Sequence, residues 1–148
     1  MTKKRLFLFA AFDPKNIDDG RIYDTTILYL SELAELGDIV YFQDNDVGSS
    51  ELKKIAPLVL YAEAKRHNEY DFGSYKRSFT WVRNNQLLDN YDYLYLVNDS
   101  VYGPFFPLSE YLENMEANNS DVVGMIYNTR KRGPRIPHIQ SWFLGVSK

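Results

Sequence analysis

The amino-acid sequence predicts an α/β fold, a mainly parallel sheet with helices on both faces. Two observations carry that expectation. Short apolar runs suited to buried strands recur along the chain, and segments with apolar residues at helical spacing lie between them. Such alternation demands crossover connections and therefore parallel strand pairs. A third observation sets the scale: 148 residues, 45% of them hydrophobic, suffice for one core, so residues 1–148 are read as a single domain.

Residues 6–12 (LFLFAAF) form an unbroken apolar run closed by Asp13-Pro14, the pattern of a central strand buried on both faces. Between residues 23 and 36, Ile27, Leu30, Leu33, Ala34 and Leu36 mark one face of a helix, and Gly37 is its stop. Residues 39–42 make the next strand, Ser50 caps a short helix ending before Pro57, and residues 58–62 make a third strand. The polar segment 65–70 leads into Asp71-Phe72-Gly73-Ser74, from which a helix of about four turns reaches Leu88. Residues 93–97 (YLYLV) form the fourth strand and deliver the polar corner Asn98-Asp99-Ser100, after which Gly103, Pro104 and Pro107 interrupt regular structure. A helix at 108–115, a strand at 121–126, a basic loop at 127–137 and a last strand at 138–146 complete the chain.

Composition narrows the function. With a net charge of −3 and dispersed basic residues, no broad electrostatic grip on nucleic acid is expected. The absence of cysteine excludes disulfides, thiolate metal sites and a cysteine nucleophile. The run at 6–12 is too short for a membrane span or a signal peptide, so a soluble cytoplasmic protein with no transmembrane segment is expected. No serine-histidine-acid order, P-loop or Rossmann glycine fingerprint is present.

In open α/β sheets, ligands bind in the crevice outside the carboxyl ends of the strands, and three polar segments fall at such ends: 13–19, 66–74 and 98–100. Asp99 suits a cation, because Mg²⁺ is usually held by one or two carboxylates and by substrate phosphates. The same tripeptide also has the composition of a plain turn. Gly73 and Ser74, read as a helix start, would offer free N–H groups and a positive dipole end to phosphate, with Arg66, Lys76 and Arg77 near enough to add charge. An ordinary helix cap is the simpler use of that pair. His67 and His138, the two histidines, fit hydrogen-bonded structural roles first, and Trp81 and Trp142 fit core packing.

The runs RHNEYDFGSYKRSF, LVNDSVYGPFFPL and HIQSWFL, with the opening LFLFAAFDP, resemble the rhamnan synthesis protein F family of bacterial rhamnose-rich polysaccharide and lipopolysaccharide assembly. More distantly, the chain is similar to glycosyltransferases of the GT-A fold. The resemblance implies a rhamnosyl- or related sugar transferase. It would use a nucleoside-diphosphate sugar and a polysaccharide or lipid-linked acceptor, in the cytoplasm or at the inner face of the membrane. Carried across, Asn68, Asp71, Gly73 and Ser74 fall at the sugar-nucleotide contacts, with Arg66, Lys76 and Arg77 beside them. Asn98 and Asp99 fall at the acidic motif, Asp13 near the base or ribose, and His138 and Gln140 on the acceptor side. A divalent cation, Mg²⁺ or Mn²⁺, would sit on Asp99. The chain departs from the GT-A pattern in having Asn98-Asp99-Ser100 where two acids are usual, and it ends soon after HIQSWFL, where such enzymes continue into an acceptor half. A truncated, non-catalytic nucleotide-sugar or glycan-binding module is therefore the alternative. Ile139, Trp142, Phe143 and Leu144 near the terminus suggest cover from a second copy or further polypeptide. No catalytic base is assigned.

Overall fold

A computed structural model describes residues 3–129 and 136–148. Strand β1 (Arg5–Ala11) is its centre, with Leu6, Phe7, Leu8, Phe9 and Ala10 wholly buried. It pairs in parallel with β2 (Asp38–Gln43) on one side and β4 (Tyr93–Asn98) on the other, and β2 pairs in parallel with β3 (Tyr61–Ala64). Beyond β4 the sheet turns antiparallel, through β8 (Phe143–Ser147) to β5 (Val122–Gly124), giving the order β3-β2-β1-β4-β8-β5.

The unbroken apolar character of β1 follows from cover on both faces. On one face α1 (Asp24–Ala34), α2 (Ser49–Ile55) and α4 (Leu108–Glu116) press Leu30, Leu33, Ile55 and Leu112 against Phe7, Phe9 and Tyr41. On the other, α3 (Tyr70–Asn84) presses Tyr75 and Val82 against Leu6, Leu8 and Val40. Each aliphatic side chain fully buried in this way contributes about 1.5–3 kcal/mol. At the amino-terminal edge of β1, Glu116 ends α4 with its carboxylate on the unfavourable, negative end of the helix dipole. Arg5 compensates by donating to both carboxylate oxygens at 2.7 and 2.8 Å, and the Tyr95 hydroxyl donates to Oε1 at 2.7 Å, so a buried charge is fully bonded and α4 is tied to β1 and β4.

Four expected elements shift. The third strand begins later, because Pro57 lies in a 3₁₀ turn at Ala56–Leu58 and the ladder opens where Tyr61 meets Val40. The helix expected from Gly73 begins at Tyr70 instead. The last strand is split: β7 (His138–Ile139) pairs with β6 (Tyr127–Asn128) in a separate two-stranded ladder, a turn follows, and only β8 enters the main sheet. The strand expected at 121–126 shortens to β5 for the same reason, since Tyr127 and Asn128 leave to pair with β7. Residues 130–135 of the expected basic loop lie outside the described residues. Among the described residues, no helix is long and apolar enough to cross a membrane.

Candidate functional site

The chain runs from β1 outward to β2 and β3, then returns across the sheet to β4 on the opposite side of β1. This reversal places α1 and α3 on opposite faces and opens a crevice between the carboxyl ends of β1 and β4, the general ligand position in such sheets. Asp99, the first residue beyond β4, spans the gap. Its N–H donates to the Ala10 carbonyl at 3.3 Å, and its Oδ2 accepts the Phe12 N–H at 3.1 Å. The corner is therefore bonded to the neighbouring strand, and its carboxyl is partly buried. Burial, and then the nearby charges of Asp71 and Asp13, outweigh the Phe12 N–H and push Asp99 up to about 7.

Asp71 reaches the same crevice from the first turn of α3. Asn98, 4% exposed, donates its side-chain N–H to Asp71 Oδ2 at 2.7 Å and anchors its own backbone N–H on the Trp142 carbonyl at 3.2 Å. Burial raises Asp71 above the ordinary carboxylate range, although the Asn98 bond opposes it. Asp71, Asn98 and Asp99 thus come together as the sequence suggests. Among the described residues there is no group of three acidic, histidine or cysteine side chains able to enclose a cation. The two carboxylates are nonetheless the number Mg²⁺ takes when substrate phosphates complete its shell.

The segment 66–74 is organised by a residue that sequence reasoning missed, Asp44, at the end of β2. Its side chain has no exposed surface. Oδ1 accepts the N–H groups of His67 at 2.7 Å and Asn68 at 2.9 Å, Oδ2 accepts that of Tyr70 at 2.8 Å, and Arg66 Nη1 lies 3.2 Å from Oδ1. Burial works against the charge, but these donors and His67 hold Asp44 below the usual carboxylate range. The bonds fix Asn68 at φ 60° and Tyr70 at φ 51°. Asparagine tolerates that left-handed conformation, whereas tyrosine adopts it only under constraint. Asp44 thereby also caps α3 from a distance, which explains why the helix starts before Gly73. The rule that pointed to Asn98 and Asp99, a polar tip after an apolar strand, would have found Asp44 if applied to 39–42.

With α3 starting at Tyr70, the Gly73 N–H is engaged inside the helix, donating to Glu69 at 3.2 Å. Ser74 is buried, its Oγ 3.0 Å from His67 Nε2, and the Glu69 N–H donates to His67 Nδ1 at 3.2 Å, which assigns the proton of the neutral ring to Nε2. Glycine is needed at 73 because a Cβ there would lie 2.8 Å from the His67 ring and would run into the Glu69 Cβ. Gly73→Ala is expected to destabilise the fold by about 1–3 kcal/mol by displacing that ring. Gly48→Ala, with only the Ser50 hydroxyl 3.8 Å from the new Cβ, is expected to leave stability within about 0.5 kcal/mol. Urea titrations of the two variants make the comparison.

The remaining site candidates are placed as follows. Arg66 donates to the Asp44 carbonyl at 2.7 Å and its guanidinium lies 5.1 Å from the Phe12 ring centre. Arg77 pairs with Glu69 and donates to the Gly73 carbonyl at 3.0 Å, while Lys76 is exposed on α3. Asp13 is buried, and its carboxylate accepts from the N–H groups of Lys15 (3.0 Å) and Arg21 (3.1 Å), the Asn16 amide (2.9 Å) and the Tyr23 hydroxyl (3.2 Å). Burial raises its pKa, but the bonds from Asn16, Lys15, Arg21 and Tyr23 prevail and lower it overall. It orders its own loop. His138 is exposed on β7, its Nδ1 on the Ile136 carbonyl at 2.9 Å. Gln140 accepts the Trp142 indole N–H at 3.0 Å and so orients a ring that, with Tyr29, Val101, Tyr102, Phe105 and Met125, lines a cavity of about 160 Å³ beside the β4 corner.

Comparison with known proteins bears on the same region. The chain is 30% identical over 74 residues to the uncharacterized protein y4gN of Sinorhizobium fredii (strain NBRC 101917 / NGR234), a stretch that covers 50% of this chain and 19% of that protein. The chain thus spans a small part of that relative's length. No solved structure matches. The family model described as rhamnan synthesis protein F matches residues 40–148, which take in Asp44, α3, the Asn98-Asp99 corner and the Trp142 wall, and the chain belongs to that family.

Proposed function

We propose that the chain is the nucleotide-sugar-binding part of a glycosyltransferase of GT-A type acting in polysaccharide synthesis, as the family's description suggests. The observation that carries this reading is the gathering of Asp71, Asn98 and Asp99 at the crevice between β1 and β4. Sugar transfer from a nucleoside-diphosphate sugar to a polysaccharide or lipid-linked acceptor requires stabilisation of the departing diphosphate and removal of a proton from the acceptor hydroxyl. Asp99 and Asp71 would hold a divalent cation, Mg²⁺ or Mn²⁺, whose positive charge would offset that of the diphosphate. One specific observation favours a second reading, a non-catalytic binding or assembly module: Arg66 and Arg77, two of the three cations expected beside the crevice, are already paired with Asp44 and Glu69, which leaves Lys76.

A thermal-shift screen of nucleoside-diphosphate sugars, with and without Mg²⁺ or Mn²⁺, tests the site. Donor at a hundred times its dissociation constant is expected to add about 2.7 kcal/mol of stability. Asp99→Asn is expected to abolish the cation-dependent part. The absence of stabilisation by any donor rejects the reading. Stabilisation without donor turnover or sugar transfer selects the binding module.

A further inference from the structure

The register of the antiparallel strands extends the ligand edge of the sheet beyond Asp99. Val97 pairs with Phe143 and the Asn98 N–H donates to the Trp142 carbonyl, so Trp142, just before β8, stands level with the carboxyl end of β4. The Met125 N–H donates to the Phe143 carbonyl at 3.3 Å, which brings the residue after β5 to the same edge. Val101 follows Asp99 by two positions. Together with Tyr29 from α1 and Tyr111 from α4, these residues line the cavity of about 160 Å³. Tyr29, Met125 and Trp142 belong to the single core on the α1 and α4 side of the sheet, so the cavity is built on one face. No lining residue carries a charge, and the Trp142 indole N–H is taken by Gln140, which leaves Trp142 to offer ring surface. Tyr29 is the exception in this apolar wall. It is 4% exposed, and its hydroxyl makes no hydrogen bond among the described residues. Tyr75 carries the one fully enclosed side-chain polar atom without a partner, so the Tyr29 hydroxyl keeps open surface, and the cavity is what Tyr29 lines.

We propose that this cavity holds one neutral pyranose ring of a glycan acceptor, with its C–H face against the aromatic walls and one of its hydroxyls bonded to Tyr29. The negative face of an aromatic ring attracts the weakly positive C–H hydrogens of a sugar, while the remaining sugar hydroxyls stay in water at the open mouth, where Phe105 is 81% exposed. The volume suits one ring: a cavity of ~150 Å³ accepts a six-membered ring, and pockets for drug-sized ligands begin near ~300 Å³. A phosphate would enter without a counter-charge. An apolar side chain from another protein would fill the space but strip water from the Tyr29 hydroxyl and give it no partner. A nucleobase stacks as well, but it carries a whole edge of donors and acceptors, for which the wall supplies one buried hydroxyl. This inference rests on the crevice being the donor site proposed above, and it places the acceptor beside Asp99 on the β8 side.

The test uses Tyr29→Phe, which removes the hydroxyl and keeps the ring, and Phe105→Ala, which trims an exposed wall, with binding followed by ligand-observed NMR. The probes are a methyl rhamnoside, a methyl glucoside and uridine. The wild-type chain is expected to bind at least one glycoside at millimolar concentration and more tightly than uridine. Tyr29→Phe is expected to weaken that binding about fivefold or more and to leave the apo melting temperature equal or higher. Phe105→Ala is expected to weaken it about threefold or more. Failure of both glycosides to bind overturns the subsite. So does glycoside affinity unchanged in both variants, or a fall in the melting temperature of Tyr29→Phe that marks its hydroxyl as a structural group. Uridine binding that depends on Tyr29, in place of glycoside binding, makes the cavity a base pocket and also overturns it. A dimer in light scattering that Phe105→Ala dissolves would give the cavity to a second copy instead. Donor-induced stabilisation without glycoside binding leaves the nucleotide-sugar reading standing and removes only this subsite. Glycoside binding that depends on Tyr29, with no stabilisation by any donor, does the reverse.

Discussion

Asp44→Ala is expected to lower stability by about 3–5 kcal/mol, the range for removing one partner of a buried, fully bonded charge network. The magnitude follows from what is left behind. The N–H groups of His67, Asn68 and Tyr70 lose their acceptor inside the protein, Arg66 loses its carboxylate, and two residues in left-handed conformations lose the bonds that hold them there. For a chain of 148 residues, each kcal/mol corresponds to roughly 2–4 °C, so the melting temperature should fall by about 10 °C. Asp44→Asn keeps one carbonyl acceptor but turns an N–H donor toward other donors, and it is expected to fall between the two. Because the native pKa of Asp44 is depressed, its contribution is present above the unfolded value near 4 and is lost as pH falls through the lower native value. Urea titrations of wild type and both variants at neutral pH measure the effect, and a loss under about 1 kcal/mol for Asp44→Ala would mean that water replaces the carboxylate without cost.

The contrast between Asp44 and Asp99 shows what a linear reading can and cannot reach. The fold class was legible because strand burial and helix amphipathicity are local patterns, and β1 and β4 were visible as apolar runs ending in polar tips. The convergence of Asp71, Asn98 and Asp99 was legible for the same reason, since strand ends of a doubly wound sheet meet at one edge. What was not legible depends on bonds between distant residues. Asp44 lies 26 positions before Tyr70 and fixes where α3 begins. That one long-range cap engages the Gly73 N–H within the helix and turns an apparent phosphate cradle into a packing site for the His67 ring. Likewise, nothing local separates β7 from β8. Their division depends on β6, which draws His138 and Ile139 into a separate ladder before the chain can reach β4.

Asp99→Asn is expected to make the apo protein more stable at pH 8, although it removes the central residue of the proposed site. The carboxyl has a folded pKa of about 7 against an unfolded value near 3.9, first because of burial and then because of its acidic neighbours. Between these values the native state holds a proton that the unfolded chain has released, so the contribution of Asp99 falls as pH rises through about 4 to 7 and is constant above. Three pKa units correspond to about 4 kcal/mol, and partial exposure reduces this to roughly 1–3 kcal/mol recovered by asparagine at pH 8. The amide oxygen can still accept the Phe12 N–H, so no bond is forfeited. At pH 4 the two proteins should be nearly equal in stability. His67, whose folded pKa is lowered chiefly by burial, contributes with the opposite sign near pH 6.5, but it is common to both proteins and cancels in the difference. A stability difference between wild type and Asp99→Asn that does not change between pH 4 and 8 would place the carboxyl in ordinary solvent. A difference that grows with pH identifies a carboxylate kept at a cost in stability, a cost that a cation or hydrogen-bond donor would offset under the proposed function.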